Sequence, residues 1–196
     1  MAQKKNKQKN SVRIISGQWR SRRISFLDKP DVRPTPDRVR ETLFNWLGDT
    51  IAGARCLDLF AGSGALGFEA ASRGAAHVTL VDTDLAICKM LAEQKTLLQA
   101  TQIDIVQQEA LSYLQNATVK FDLLFIDPPF ACELYNDVLA TLLSRQLITH
   151  NSLLYIESAA QQGVAQIDLK KVYKLSTIRE KTAGEVHFGL YQATTI

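Results

Sequence analysis

Cys56-Leu57-Asp58-Leu59-Phe60-Ala61-Gly62-Ser63-Gly64 is the stretch that decides the fold of this chain. It begins as an apolar run, which we interpret as a buried strand over residues 54–60, and it ends in a loop with two glycines. Glycine permits backbone angles and a close approach of a ligand that a Cβ atom would block. A helix is predicted to follow as far as Arg73, with Gly74 capping it. A strand, a glycine loop and a helix in this order predict a βα unit of a parallel sheet.

Strands and helices are predicted to alternate after this unit. Further strands are predicted at residues 77–81, 103–107, 121–126 and 152–157, and helices at 85–100, 110–115 and 134–145. Two longer strands, at residues 171–178 and 186–193, are joined by a polar turn containing Gly184 and should form an antiparallel hairpin. The pattern predicts an α/β fold with a doubly wound, mostly parallel, seven-stranded Rossmann-like sheet that ends in this C-terminal hairpin.

The segment before the sheet is short and partly ordered. Residues 1–10 are rich in Lys, Gln and Asn and are expected to be disordered. Residues 12–15 and 22–26 are predicted to pair as a short hairpin, and Pro36-Asp37 to open a helix that ends near Leu47. The chain thus divides into a tail, an N-terminal extension and a main domain, at residues 1–10, 11–50 and 51–196.

Positive charge is concentrated in the tail and the extension. The whole chain carries +3, but residues 1–46 hold twelve Lys or Arg against four Asp or Glu, a charge of +8, which leaves −5 for the remainder. A basic segment on a mildly acidic body indicates a polyanionic partner. Between residues 13 and 40 the arginines are interleaved with apolar residues, so an ordered segment should hold them in place for phosphate. The alternatives are a solubilising tail at residues 1–10 and a helix that merely exposes Arg38 and Arg40 to solvent.

Composition argues against several other classes of protein. No apolar run approaches the ~20 residues of a membrane span, and the N-terminus lacks the apolar region of a secretory signal. Cys56, Cys88 and Cys132 form no C-x-x-C pair and are interpreted as structural thiols, and the three histidines have no ligand spacing. We therefore predict neither a disulfide framework nor a metal site, and we expect a cytoplasmic protein.

The glycine loop resembles a dinucleotide fingerprint but differs from it in one important residue. Gly67 completes G-x-G-x-x-G, and Asp82 follows Gly62 by twenty residues, which taken alone would indicate NAD. Asp58 lies at the strand end, where a carboxylate would repel a pyrophosphate and attract a cationic ligand. The two residues at 60–61 separate the strand from the glycines and make room for a bulkier group without phosphate. Asp82 can bind ribose hydroxyls in either case.

Asp127-Pro128-Pro129-Phe130 directly follows the apolar run at residues 121–126. The prolines end the strand, and open α/β sheets keep their sites at the carboxyl ends of strands. The Asp127 carboxylate and the Pro128 carbonyl are hydrogen-bond acceptors, and Phe130 offers a ring on which a base can stack. Two acceptors beside a ring suit a planar heterocycle with an exocyclic amino group. A turn with a helix-capping Asp would explain neither the ring nor the second proline.

These residues resemble the class I S-adenosylmethionine-dependent methyltransferases that methylate amino groups. The resemblance is closer still to the RsmD family, the bacterial guanine-N2 methyltransferases of small-subunit (16S) ribosomal RNA. It runs from about Arg13 to Phe130, with a looser C-terminal third. Such enzymes often place Glu where this chain has Asp82, and many have Asp where it has Glu109. The blocks that carry the resemblance are residues 33–35, 38–47, 57–67, 69–70, 72–75 and 127–130.

The resemblance implies methyl transfer from S-adenosylmethionine to the 2-amino group of one guanine in 16S rRNA. Residues 11–50 would then be an RNA-binding extension and residues 51–196 the methyltransferase domain. The implied catalytic residues are Asp127, Pro128, Pro129 and Phe130. The implied cofactor-binding residues are Asp58, Phe60, Ala61, Gly62, Gly64, Ala65, Asp82, Thr83, Glu109 and Ala110. The predicted RNA-binding residues are Arg13, Arg20, Arg22, Arg23, Arg33, Thr35, Arg38 and Arg40.

Three other functions are compatible with parts of this sequence. A DNA adenine-N6 methyltransferase would share the Asp127 motif, but no separate target-recognition domain is visible in 196 residues. An NAD-dependent oxidoreductase is disfavoured by Asp58 and by the Asp127 motif, and a non-catalytic RNA-binding protein by the intact glycine loop. Since one basic arm offers little surface for finding a single guanine, the expected substrate is an assembled or partly assembled small subunit. A monomer is expected.

Overall fold

The computed structural model describes residues 10–29, 34–128, 134–160 and 175–193. The strands are β1 (Ser11–Arg13), β2 (Arg23–Ser25), β3 (Arg55–Asp58), β4 (His77–Asp82), β5 (Ile103–Gln107), β6 (Leu123–Ile126), β7 (Leu153–Ala159), β8 (Leu175–Ala183) and β9 (Val186–Ala193). The α-helices are α1 (Asp37–Leu47), α2 (Ala65–Ser72), α3 (Leu85–Leu98), α4 (Ala110–Asn116) and α5 (Tyr135–Ser144), and a 3-10 turn (Gly48–Ile51) follows α1.

Seven of the strands form one sheet, in the order β5-β4-β3-β6-β7-β9-β8. Strands β3 to β7 are parallel, whereas β9 runs antiparallel to both β7 and β8. The chain enters this sheet at β3, forms β4 and β5 on one side of it, and then returns to form β6 on the other side. The switch point of the sheet therefore lies between β3 and β6. The predicted fold class, including the C-terminal hairpin, is confirmed.

The two faces of the sheet carry separate hydrophobic cores. The core on one face includes α1, α2 and α3, where the ring of Phe44 lies 6.1 Å from that of Phe125 and Trp46 stacks on Phe188 at 5.3 Å. The other core includes α4 and α5. Helices on both faces explain why the central strands are apolar along their whole length rather than alternating.

The N-terminal hairpin of β1 and β2 joins the first of these cores. Its side chains Val12, Ile14, Trp19 and Ile24 are buried there with those of α1 and α2. The backbone N–H groups of Gln18 and Trp19 donate to the carbonyl oxygen and the hydroxyl of Ser72 on α2. The extension is therefore packed against the sheet domain rather than tethered to it.

One predicted strand ends later in the chain than expected, and the start predicted for it, at residues 171–174, lies outside the described residues. The strand predicted at residues 171–178 is described from Leu175 and continues to Ala183, with a register irregularity between Thr177 and Arg179. Residues 179–182 are polar, so no apolar alternation marks them as a strand. Their backbone pairs with β9 at the edge of the sheet, where side chains need no burial.

Candidate active site

Four acidic side chains lie at the carboxyl ends of four neighbouring strands. Asp82 ends β4, Asp58 ends β3, Asp127 directly follows β6, and Glu157 lies two residues before the end of β7. Because these strands are adjacent and parallel, the four residues lie along one edge of the sheet and flank its switch point. This acidic edge is where the sequence predicted the site, and Glu157 is an addition to it.

Asp58 is almost completely buried, with 3% of its surface exposed. Its Oδ2 accepts a hydrogen bond from the N–H of Gly67 on α2 at 3.1 Å. Burial raises the pKa of Asp58 to about 7; the Gly67 N–H opposes this rise, and the charge of Asp82 adds to it. A cation beside a buried carboxyl group of raised pKa would stabilise its ionised form. This agrees with the cationic ligand that the sequence predicts at Asp58.

The three glycines of the loop have different roles. Gly62 (φ +48°) faces open space, since a Cβ there would meet only the Phe60 carbonyl oxygen, at 3.9 Å. At Gly64 (φ +74°) a Cβ would come within 2.6 Å of Leu91, so that glycine allows close packing of side chains rather than ligand approach. At Gly67 a Cβ would come within 2.1 Å of a Leu80 methyl, so this glycine brings α2 close to the sheet. Gly62 alone has the open space above it that a ligand requires.

Asp82 organises the loop through its carboxylate. Its Oδ2 accepts a hydrogen bond from the Gly62 N–H at 2.9 Å, and its Oδ1 accepts one from the Asp84 N–H at 2.9 Å. Burial raises the pKa of Asp82 although both hydrogen bonds oppose the rise. Each oxygen keeps a second lone pair, so the carboxylate can also accept ribose hydroxyls. Asp84 caps α3 by accepting from the N–H groups of Ala86 and Ile87, and it pairs with Lys29.

The other predicted cofactor residues lie nearby on the same edge. Thr83 is exposed directly after β4, and Phe60 and Ala61 lie between β3 and the glycines. Glu109 caps α4, its two oxygens accepting from the N–H groups of Leu111 and Ser112 at 3.1 and 2.7 Å. This helix cap accounts for an acidic residue at position 109 without any contact to a ligand. Ala110 is buried, and Ala65 is buried as the first residue of α2.

Asp127 and Pro128 directly follow β6 on the acidic edge, the first half-buried and the second buried. Burial raises the pKa of Asp127 well above its usual range, and the charges of Glu157 and Asp58 raise it further. Pro129, Phe130 and Cys132 lie outside the described residues, as does Arg33. The predicted stacking ring therefore remains a prediction.

Sequence reasoning missed Glu157. Only 4% of this residue is exposed, and its Oε2 accepts a hydrogen bond from the Tyr155 hydroxyl at 2.6 Å. Its backbone carbonyl accepts another from the Tyr135 hydroxyl of α5 at 2.8 Å. Burial raises the pKa of Glu157, against the effect of the Tyr155 hydroxyl. The signal in the sequence is an acid two residues after a tyrosine inside an otherwise apolar strand, which predicts a buried and paired carboxyl group.

Five of the predicted RNA-binding arginines are exposed on the extension, and Arg40 is not. Arg40 is 1% exposed: its guanidinium donates to the carbonyl oxygens of Thr35 and Arg13 and to Asp37 Oδ1, and lies 3.7 Å from Glu69 Oε2. The assignment of Arg40 to RNA binding is therefore wrong in this structure, because its charge is already satisfied inside the protein. The exposed arginines are Arg13, Arg20, Arg22, Arg23 and Arg38.

The prediction for Thr35 needs a similar correction. Thr35 is 6% exposed, and its carbonyl oxygen is the acceptor for the Nε of Arg40 at 3.2 Å. In the described structure this residue helps to hold the start of α1 in place rather than presenting its side chain at the surface.

The remaining sequence predictions concern absent features. Within residues 10–29, 34–128, 134–160 and 175–193, no cluster of His, Cys, Asp and Glu suited to a metal ion is present. Cys56 and Cys88 are both buried free thiols. No helix in the described part of the chain is long and apolar enough to cross a membrane.

A Rossmann-like sheet with a glycine loop after β3 and an Asp-Pro pair after the neighbouring β6 defines a class I methyltransferase fold. Comparison with known proteins identifies the family. The family described as "Conserved hypothetical protein 95" matches residues 12–192, and this chain belongs to it.

Relatives of this chain carry names that state a function. The chain is 42% identical over 181 residues to "Ribosomal RNA small subunit methyltransferase D" of Escherichia coli (strain K12), which covers 92% of this chain and 89% of the relative. It is 37% identical over 188 residues to the protein of the same name in Haemophilus influenzae, covering 94% and 95% of the two chains. The solved structure "Putative methyltransferase yhhF from Escherichia coli" superimposes with a TM-score of 0.85 at 39% identity, covering 95% of this chain and all of that one.

Proposed function

We propose that this protein transfers a methyl group from S-adenosylmethionine to the exocyclic 2-amino group of a guanine in small-subunit (16S) rRNA. One observation carries the proposal: the glycine loop after β3 and the Asp127-Pro128 pair after β6 lie side by side. Asp58 at the end of β3 is the register partner of Phe125, two residues before Asp127. A cofactor held by the loop and a base held by Asp127 would therefore meet at one edge of the sheet.

The residues at this edge fit the proposed cofactor. S-adenosylmethionine supplies an electrophilic methyl group on a positively charged sulfur and carries an ammonium group. The carboxyl groups of Asp58 and Asp127 favour cationic groups beside them, because each has a pKa raised by burial and by neighbouring acids. The space above Gly62 accommodates a ligand against the backbone, and Asp82 has acceptor capacity left for the two ribose hydroxyls.

Asp127 and Pro128 supply what an aromatic amine needs to react. The nitrogen is a poor nucleophile because its lone pair is delocalised into the ring. Hydrogen bonds from its two N–H groups to the Asp127 carboxylate and the Pro128 carbonyl oxygen favour a pyramidal nitrogen whose lone pair points at the methyl group. Holding the two reactants in this geometry supplies much of the rate gain, and preorganised acceptors stabilise the positive charge that develops on nitrogen. When the nitrogen gains a methyl group it must lose one proton, and in this proposal Asp127 accepts it.

The exposed arginines of the extension support an RNA substrate. Arg20 and Arg22 lie between β1 and β2, and Arg38 lies in the first turn of α1. In the described part of the chain, none of these three forms a salt bridge, so their guanidinium groups are available to phosphates. The names of the relatives support small-subunit rRNA as the target. The choice of guanine N2 rests on the sequence resemblance to the RsmD family.

The preferred substrate in this proposal is an assembled or partly assembled small subunit, bound by a monomeric enzyme in the cytoplasm. The basic surface of a 196-residue chain is small. Additional contacts with the folded particle would supply the discrimination that this surface cannot.

The deciding experiment uses small subunits from cells that lack this protein. The protein and methyl-labelled S-adenosylmethionine are added to these subunits, to protein-free 16S rRNA and to DNA, and the labelled nucleoside is identified by mass spectrometry. The expected product is one N2-methylguanosine in the rRNA, formed faster on subunits than on naked rRNA. Label only in adenine of DNA would contradict the proposed substrate, and absence of label in every nucleic acid would contradict the proposed chemistry.

A further inference from the structure

We propose that Glu157 is a positioning residue of the candidate site. In this proposal, Glu157 and Asp127 share one proton in the free protein, and a positively charged cofactor beside them expels it. Asp127 is then a full carboxylate when the target amino group arrives. The inference rests on the proposed function and extends it to a residue outside the Asp127 motif.

The register of the sheet places Asp127 and Glu157 next to each other. Ile126 of β6 is the partner of Ile156 of β7, and each acid is the next residue on its strand. Side chains alternate along a strand, so Glu157 lies on the same face as Tyr155, and the hydrogen bond between them confirms this. Phe125, two residues before Asp127, pairs with Tyr155, two residues before Glu157, and their rings meet edge to face at 6.3 Å.

Among the residues that the structure describes, the groups that face the pair are acids and hydroxyls rather than cations. Asp58 faces it from β3, Tyr155 from β7 and Tyr135 from α5, while the register partner of Glu157 on β9 is the uncharged Phe188. Among the described residues, neither Asp127 nor Glu157 takes part in a salt bridge. Two adjacent carboxyl groups, one buried and one half-buried, with no cation paired to them among the described residues, cannot both ionise readily, so one proton stays with the pair near neutral pH.

The Tyr155 hydroxyl decides where this proton lies. By donating to Glu157 Oε2 at 2.6 Å it stabilises the ionised form of Glu157. The pKa of Asp127 is raised by its burial and by the charge of Glu157, so Asp127 holds the proton in the free protein. A protonated Asp127 can accept fewer hydrogen bonds from an amino group and cannot take its proton.

A cationic cofactor reverses this condition. Positive charge beside the pair favours both carboxylates, so binding releases the proton to solvent. By linkage, a binding event that releases one proton weakens about tenfold for each pH unit below the pKa of the pair. The reaction product, S-adenosylhomocysteine, lacks the charge on sulfur and would release less of the proton, which assists its departure after transfer.

Calorimetry tests the inference without any activity measurement. S-adenosylmethionine is titrated into the wild-type protein and into Glu157→Gln, Tyr155→Phe and Glu93→Gln between pH 6 and 8.5. Two buffers of different ionisation enthalpy report the protons released at each pH. Glu157→Gln removes the neighbouring charge and keeps the side-chain shape, Tyr155→Phe removes the donor to Glu157, and Glu93→Gln makes the same charge change at an exposed position on α3. S-adenosylhomocysteine is the comparison ligand.

The two site variants should move the proton release in opposite directions. Proton release should disappear above the pKa of the pair in the free protein, so the pH at which release has fallen to half on this alkaline side is the quantity compared. Glu157→Gln is expected to lower this pH by about one unit or more, because Asp127 no longer faces a like charge. Tyr155→Phe is expected to raise that pH, and Glu93→Gln to leave it unchanged. Asp58 and the ligand ammonium also titrate in this range, but they are common to all four proteins, so the differences belong to the pair.

Equal profiles for the wild type and Glu157→Gln would overturn the inference. If Glu157→Gln does not unfold cooperatively, Tyr155→Phe decides: an upward shift supports the shared proton and an unchanged profile overturns it. The proposed function fails separately, if the wild-type protein binds no S-adenosylmethionine at any pH or methylates no rRNA. Normal rRNA methylation with identical proton release in all proteins would leave the function standing and remove only the role of Glu157.

Discussion

The Oε2 atom of Glu69 accepts a hydrogen bond at 2.7 Å from the backbone N–H of Ile15, 54 positions earlier in the chain. Oε1 of the same carboxylate accepts from the Ser16 N–H at 3.0 Å and from Arg73 Nε at 2.7 Å, and the Arg40 guanidinium lies 3.7 Å from Oε2. One buried side chain of α2 thus joins the N-terminal hairpin, α1 and its own helix. Because α2 begins at the glycine loop, the basic extension is fixed relative to the candidate cofactor site.

Replacing Glu69 with Ala should destabilise the protein by about 3–5 kcal/mol, because it leaves two backbone N–H groups without an acceptor, removes the partner of Arg73 and leaves the buried Arg40 with Asp37 as its remaining carboxylate. Urea unfolding followed by circular dichroism measures the change. Glu93→Ala, at an exposed position on α3, is the control and should change stability by less than about 0.5 kcal/mol. Equal unfolding midpoints for the two variants would show that the Glu69 contacts do not hold the extension.

Gly17→Ala should disrupt the contact between the hairpin and α2. The residue has φ +81°, and its Cβ would lie 1.8 Å from the backbone oxygen of Ser72, which cannot move without disturbing α2. We expect a loss of about 2–4 kcal/mol from backbone strain and overlap together. Gly184→Ala is matched to it, with φ +63° but nothing within 4 Å of its Cβ, and should cost only the strain, about 1–2 kcal/mol. Thermal or urea unfolding of both variants gives the difference, and a Gly184 variant as unstable as the Gly17 variant would contradict the proposed overlap.

Asp127→Asn should abolish methyl transfer while S-adenosylmethionine still binds. An amide has one acceptor oxygen and cannot accept a proton from the methylated nitrogen, so we expect a fall in kcat of at least about 100-fold. Single-turnover assays on small subunits, with calorimetric binding of the cofactor, separate the two effects. Asp137→Asn, an exposed acid in the first turn of α5, is the matched control. Near-normal turnover by the Asp127 variant would contradict the proposed mechanism.

Asp58 should make the unliganded protein less stable as pH rises. Its pKa is about 7 in the folded protein and 3.8 in the reference state, so the folded state binds the proton more tightly between these values. Stability therefore falls from about pH 4 to pH 7 and levels off above, by up to about 4 kcal/mol from this residue. Asp58→Asn cannot titrate, so its stability measured by urea unfolding should change less over this range and exceed that of the wild type at pH 8. Parallel curves for the two proteins would argue against a raised pKa.

Arg20→Ala, Arg22→Ala and Arg38→Ala should each weaken RNA binding without changing stability. If each arginine contacts one phosphate, the slope of log Kd against log salt concentration falls by about one per variant. Filter binding to 16S rRNA over a range of salt concentrations measures it. Arg145→Ala is the control, because Arg145 follows the last turn of α5, at the sheet edge opposite the site. Salt slopes equal to that of the wild type in all three variants would exclude this surface as the RNA-binding face.

The sequence alone was sufficient to predict the fold and three of the four acidic residues at the carboxyl ends of the strands. The order of strands and helices follows from local apolar runs and turn residues, which act over a few positions. Strand ends that carry Asp58, Asp82 and Asp127 could be placed at one edge because parallel strands share it. Element boundaries were less certain where pairing rather than burial holds a strand, as in β8.

Tertiary structure decided which charged side chains face solvent and which serve each other inside the protein. Arg38 and Arg40 are alike in sequence, two residues apart on one helix, yet only Arg40 turns inward to Glu69 and Asp37. Glu157 became part of the site only through the pairing of β6 with β7. Which glycine faces open space and which faces a neighbouring side chain depended likewise on Leu91 and Leu80, distant in sequence. Local patterns determine backbone conformation, but burial and electrostatic pairing depend on residues far along the chain, and those meet only in the folded protein.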